Sequence, residues 1–153
     1  MDAVRLILTS SRALAGSDGG RRTLTEAWQA QALAQAIGSR LAVSGPPELR
    51  GEALRLTELA GRGCGVLDTP DLDPGDLLAA RLTELYDARE TLLRLGDLLG
   101  EVGIALVGVA SSAADEGTYW QCMEAIDAAD ESRDRVQEML RKLAAREGVL
   151  REG

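Results

Sequence analysis

The sequence predicts an all-α protein, a helical bundle of about five helices in which the last two are long and antiparallel. Apolar residues recur at steps of three and four along most of the chain, and no segment alternates as a half-buried strand does. The apolar residues are mainly Leu, Ala and Val, with no Phe, which favours an aliphatic helical core. A chain of 153 residues can bury its own core, so we predict one domain over residues 1–153.

Helix boundaries follow from the residues that interrupt this periodicity. Thr23 and Glu26 have the spacing of a capping box, which predicts the start of the second helix. The two prolines of SGPP suit the start of the third. Residues 61–76, rich in Gly, Pro and Asp, predict an internal linker with a turn at residues 73–75. The predicted helices run from about Asp2 to Ala15, Thr23 to Leu41, Pro47 to Ala60, Asp76 to Ser111 and Thr118 to Arg146.

The least polar run of the chain is GEVGIALVGVASSAA, from Gly100 to Ala114. Its uncharged part, between Glu101 and Asp115, is shorter than the roughly 20 apolar residues of a membrane-spanning helix. It lacks the preceding strand and the GK[ST] ending of a phosphate-binding loop. We therefore interpret it as a helix segment that is apolar on all sides, at the centre of the bundle or in an oligomer interface.

Glycines are frequent in this long helix. Gly96, Gly100 and Gly103 lie on one face and predict that another helix packs closely there. Ile104 and Gly108 lie on the side of the helix that carries polar residues up to Glu101. The alternative interpretation is that these glycines are merely tolerated.

Histidine is absent, which excludes Ser-His-Asp and Cys-His nucleophile systems, histidine-ligated zinc and the Glu-x-x-His di-iron site. The linker DTPDLDPGD suggests calcium, but it lacks the DxDxDG order and has Leu82 at the closing position, so we prefer turn chemistry. We predict no catalytic residue, cofactor or metal. The net charge of −8 argues against non-specific binding of nucleic acid and against binding an anionic membrane surface.

The last helix carries many carboxylates, in EAIDAADESRDRVQE. A general acid and base pair is one interpretation. A solvated face is preferred, because Glu131 precedes Arg135 and Glu138 precedes Lys142 by four residues, the spacing of helix ion pairs. Arg133 interrupts the apolar seam of this helix, and either extends to water or pairs with an acid on a partner helix.

Two cysteines and two tryptophans are further candidates. Cys64, within GRGCG, is either an exposed redox-sensitive thiol or anion site, or a small buried residue at a helix C-cap. Trp28, Trp120 and Cys122 either line a pocket or interface, or belong to the core. Without CxxC spacing we expect two free thiols and a cytoplasmic protein, and the N-terminus has no signal-peptide pattern.

Four segments, EAWQAQALAQAIGSRLAVSGPPELRGEAL, GRGCG, LLGEVGIALVGVA and YWQCMEAIDAADESRDRV, resemble an uncharacterised family of small proteins from GC-rich bacteria. The resemblance extends from about Val4 to Arg146 and implies a stand-alone protein, with no activity or ligand attached. Our leading hypothesis is a non-enzymatic bundle that acts through protein–protein contacts, as a homodimer or an adaptor. The alternative is a bundle that binds a small molecule in a pocket near the two Trp residues.

Overall fold

The computed structural model describes residues 1–69, 72 and 75–152, the last four by their backbone alone. This part of the chain contains five α-helices, which confirms the predicted all-α bundle. They are α1 (Ala3–Ala15), α2 (Gly20–Ser44), α3 (Arg50–Leu67), α4 (Ala88–Ser111) and α5 (Glu116–Glu152). Buried Leu and Ala side chains from every helix form one continuous core.

The helices α4 and α5 are antiparallel neighbours. Three glycines of α4 face α5, at Gly96–Val136, Gly100–Arg133 and Gly103–Asp130. In these three contacts the residue number in α4 increases while that in α5 decreases, so the two helices run in opposite directions. On its other sides α4 packs against α1 and α2, and α5 packs against α3.

The predicted capping box at Thr23 and Glu26 is wrong, because α2 begins at Gly20. Gly19 precedes the helix with φ of 89°, a conformation that glycine adopts readily, so the chain turns sharply out of α1 and helix formation starts early. Thr23 then lies inside the first turns, and its hydroxyl donates to the carbonyl of Gly19 at 3.0 Å.

The first part of the predicted linker, residues 61–76, is also helical, since α3 continues to Leu67. The reason is the position of Gly63, where a Cβ would lie 2.7 Å from the side-chain amide of Gln31 in α2. Glycine here allows close contact between two helices and does not end α3. The turn predicted at residues 73–75 depends on residues 73 and 74, which lie outside the described part.

The predicted start of the long fourth helix at Asp76 is wrong as well. Its first turn forms at Ala88, where the carboxylate of Asp87 accepts a hydrogen bond from the backbone N–H of Glu90 at 3.0 Å. As a result α4 has 24 residues and α2 has 25, so α5, with 37, is the one long helix.

The segment from residue 76 to 87 is held by residues distant in sequence. The buried amide of Gln29 in α2 donates to the carbonyl of Asp76 at 2.9 Å and accepts from the backbone N–H of Leu78 at 3.2 Å. The backbone N–H of Ala3 donates to the carbonyl of Glu84 at 2.9 Å. These bonds satisfy backbone groups that a continuous helix would satisfy internally.

Candidate functional site

An open groove runs between α4 and α5 on the outside of the bundle. We call it the outer groove; its volume is about 590 Å³. Its lining residues are Asp97, Gly100, Glu101, Gly103, Ile104 and Val107 of α4, and Ile126, Asp130 and Arg133 of α5. It includes part of the apolar run that the sequence predicts to be buried on all sides.

One half of the outer groove is apolar and exposed. Ile104 is 77% exposed and Val107 is 51% exposed, so the apolar run is not covered on this side within the described chain. Across from them, Ile126 is half-buried, and Met123 and Tyr119 precede it on the same face of α5 at steps of three and four residues. The prediction of complete burial is therefore wrong for a single copy, because only the inner side of α4 contacts other helices.

The other half of the outer groove is charged. Asp97, Glu101 and Asp130 are exposed carboxylates, and Arg133 is the one cation among the lining residues. Both carboxylate oxygens of Glu101 accept from the hydroxyl of Ser11, at 3.0 and 2.7 Å. This bond fixes the Glu101 carboxylate beside α1.

Arg133 extends across the groove over Gly100. Its guanidinium carbon lies 3.6 Å from the position that a Gly100 Cβ would take, and among the described residues no carboxylate lies within 4.0 Å of its nitrogens. Of the two interpretations of Arg133, extension toward solvent fits this placement. The inward position of the seam belongs to its neighbour Ser132, which is buried.

With Ser132 included, the seam of α5 has no interruption. Buried residues follow it at alternating steps of three and four: Cys122, Ala125, Ala129, Ser132, Val136, Met139 and Leu143, and Ala128 is buried beside this series. The sequence contains this heptad spacing in full. The sequence interpretation instead put Arg133, the next residue, at this position of the seam.

The structure places the candidate glycines of α4 as follows. Gly96, Gly100 and Gly103 face α5, but a Cβ at any of them would make only ordinary contacts of 3.5 to 3.8 Å, and Gly108 faces no neighbour within 4 Å. A tighter contact is at Gly38, where a Cβ would lie 2.7 Å from a Thr57 side chain in α3. No local pattern of the sequence distinguishes Gly38 from the other glycines.

Trp28, Trp120 and Cys122 do not come together around a cleft. Trp28 is half-buried against the core and Cys122 is fully buried. Trp120 is 61% exposed and contacts Tyr119 edge-to-face, with ring centroids 5.2 Å apart. None of the three lines the outer groove, so Trp28 and Cys122 are core residues and Trp120 is a surface residue.

Cys64 lies inside α3, and the predicted C-cap at this position is wrong. Its Sγ lies 3.7 Å from the carbonyl oxygen of Trp28, to which the thiol donates. Burial, with a smaller effect of the Asp68 carboxylate, raises the pKa of the Cys64 thiol from 9.0 to about 12. The thiol is therefore protonated at neutral pH, which argues against a redox-sensitive group.

The predicted pair of Glu131 with Arg135 is wrong, because each of these two side chains pairs with α3 instead. Arg135 binds Glu52 of α3 at 2.8 Å, with both side chains largely buried. Glu131 lies 3.6 Å from Arg62 of α3. The reason is that α3 packs alongside α5 and places opposite charges within reach.

The pairing predicted for Glu138 with Lys142 is replaced by a pair with Arg141, at 2.7 Å. The hydrogen bond from Arg141 lowers the pKa of the Glu138 carboxyl, and the positive charge of Lys142 adds a smaller effect. The carboxylates of α5 thus lie at the surface, as the solvated-face interpretation expects.

Comparison with protein-family models gives a match over residues 1–142 to a family described as "Family of unknown function (DUF6099)". The chain belongs to this family. The match includes both sides of the outer groove and leaves out only the end of α5. Neither the curated proteins nor the solved structures that were compared include a match.

A second cleft of this DUF6099 chain, about 380 Å³, lies where the ends of four helices meet. Leu24, Leu67 and Val109 form apolar walls, and Arg21 and Gln121 are among its polar residues. The amide of Gln121 donates to the carbonyl of Val66 at 3.0 Å, which holds the start of α5 against the end of α3. Sequence reasoning missed this cleft, since its lining residues come from positions far apart in the chain.

No group of three or more Cys, Asp and Glu side chains in the described part of the DUF6099 chain is placed to hold a metal ion. The calcium alternative rests on Asp71 and Asp73, which lie outside the described residues. Over the residues that the structure describes, no helix has both the length and the apolar character of a membrane span.

Proposed function

We propose that this protein acts through contacts with another protein molecule, made by the outer groove, and that it is not an enzyme. The observation that carries the proposal is the exposure of Ile104 and Val107 in the middle of a well-formed helix. Burying such a side chain contributes about 1.5–3 kcal/mol of binding or folding free energy. A single copy of the chain does not gain this stabilisation, because both side chains stay exposed. Grouped apolar side chains beside polar ones are typical of interaction sites.

The charge of the molecule supports a protein partner over a nucleic acid. The chain carries a net charge of −8, and the outer groove itself contains three carboxylates and one guanidinium. Phosphate backbones bind to surfaces rich in Lys and Arg. The lack of histidine and the protonated Cys64 thiol support a role without catalysis. Two free cysteines support a cytoplasmic location.

The test is site-specific cross-linking in the living cell. A photoreactive amino acid replaces Ile104 in the outer groove, and a matched variant carries it in place of Glu58, an exposed residue of α3. We expect a discrete cross-linked protein band from position 104, absent from position 58. Equal labelling from both positions, or none from position 104, refutes the proposal.

A second candidate function is small-molecule binding, in the cleft of Leu24, Leu67 and Val109 rather than near the tryptophans. Its volume, about 380 Å³, suits a small ligand, and its lining combines apolar side chains with about as many polar ones. A thermal-shift screen of apolar carboxylates tests it. A ligand that stabilises the wild type but not Val109→Phe, which fills the cleft, supports this function; equal stabilisation of both argues against it.

A further inference from the structure

We infer that the occupant of the outer groove is a basic amphipathic helix of a different protein. The inference rests on the proposed function and adds the chemistry of the partner. Its basis is the arrangement of apolar and acidic residues along the groove.

The shape of the groove suits a helix. Its sides are two antiparallel helices. At Gly103 no side chain from α4 stands between them, and Gly100 is covered by the Arg133 side chain of α5. An amphipathic helix laid in such a groove inserts apolar residues spaced three and four apart. Ile104, Val107 and Ile126 provide the apolar surface for two or three such residues.

The charges of the groove determine where the partner must be positive. With a rise of 1.5 Å per residue, Glu101 lies about 4.5 Å and Asp97 about 10 Å along α4 from Ile104. Asp130 faces Gly103 from α5. A partner helix lying along α4 therefore needs Lys or Arg about three to seven residues to one side of its apolar anchors.

A second copy of this chain is the less favourable occupant. Two copies would bring together two surfaces that each carry the carboxylates Asp97, Glu101 and Asp130 against the single guanidinium of Arg133, and each copy has a net charge of −8. Like charges that face each other across an interface disfavour association, whereas opposite charges speed encounter and fix the orientation. A basic partner avoids that repulsion.

The experiment measures binding of three synthetic 18-residue peptides by fluorescence anisotropy in 0.15 M salt. The first is an amphipathic helix with a Leu stripe at one end and Lys on the same face at the other. The second has the same residues in scrambled order. The third has Glu in place of Lys. We expect the first to bind at least about tenfold more tightly than either of the others, with an affinity that falls as salt rises.

Matched variants localise the binding. Ile104→Ser should weaken the first peptide about tenfold or more, because an apolar anchor is lost, and Asp97→Asn about threefold. The controls are Leu54→Ser and Glu58→Gln, at exposed positions of α3, and they should leave the affinity unchanged. Circular dichroism verifies that each variant is folded.

Three outcomes overturn the inference. The first is absence of binding by the first peptide. The second is equal loss of affinity in the α3 controls and the groove variants. The third is a dimer in light scattering that Ile104→Ser converts to a monomer, which identifies a second copy as the occupant. If a second copy is the occupant, the cross-link from position 104 persists, so the proposed function stands and only the inference about the partner is wrong. If position 104 gives no cross-link, both the inference and the proposed function are wrong.

Discussion

Ser132 offers a sharp test of the packing of α5. It occupies an inward position of the heptad seam, between Ala129 and Val136, and it is fully buried. Its hydroxyl has no hydrogen-bond partner among the described residues. The substitution Ser132→Ala removes this hydroxyl and leaves a side chain that the seam already uses at neighbouring positions.

The expected effect is stabilisation. A buried hydroxyl without a partner costs about 1–3 kcal/mol, and exchanging serine for alanine inside a helix gains about 0.5 kcal/mol more. The lost contacts of one oxygen atom offset a few tenths of this. Taking the lower end of the range, we expect a net gain of about 1.2 kcal/mol, which raises the melting temperature of a chain of this size by about 2–5 °C.

Thermal and urea unfolding measure the change, with Ser39→Ala as the control. Ser39 lies in the interior of α2 but is exposed, so its substitution reports helix propensity alone, about 0.5 kcal/mol. If Ser132→Ala is no more stable than Ser39→Ala, the hydroxyl carries no penalty. The reasoning about the seam is then refuted.

Three further predictions concern helix contacts and the thiol. Gly38→Ala should lose about 1–3 kcal/mol in urea unfolding, because its Cβ would lie 3.1 Å from α3 backbone atoms, whereas Gly100→Ala should be neutral or gain up to about 1 kcal/mol. Similar losses in both would contradict the geometry. Cys64, with its pKa raised to about 12, should react with Ellman's reagent at pH 8 only after unfolding; its contribution to stability is complete below pH 9 and falls between about 9 and 12. A double-mutant cycle on Glu52→Gln and Arg135→Gln should give a coupling of about 1 kcal/mol, and a coupling near zero would exclude the pair.

Helices were predictable where the signal was local. The end of α2 at SGPP follows from two prolines. The seam of α5 was predicted only in part, because its spacing was interpreted as interrupted at Arg133 although the buried residue is Ser132. The start of α4 was not predictable, because Asp76 to Asp87 is also free of proline and has a helical pattern. What prevents the helix there is the buried amide of Gln29, almost fifty residues earlier, and the first residues of α1.

Glycine was the least reliable signal of a helix end or a close helix contact, again because residues distant in the sequence decide the outcome. Gly63 has the sequence context of a helix terminator but lies within α3, since Gln31 of α2 occupies the space where its Cβ would be. Gly100 lies in a helix, as predicted, and still tolerates a methyl group in the geometry of the groove. The role of each glycine depends on which residue of another helix faces it, and a pattern along one segment does not contain that information.

The apolar run of α4 shows where helical periodicity stops being informative and what then decides the outcome. A polar stripe indicates which side of a helix faces water, but from Ile104 to Val109 both sides are apolar, and periodicity no longer distinguishes inside from outside. The number of neighbouring helices decides instead. Here α1, α2 and α5 cover the inner side and none of the other described helices covers Ile104 or Val107. Exposed apolar side chains that lie here beside carboxylates, which a basic helix would neutralise, are the features that the proposed partner surface requires.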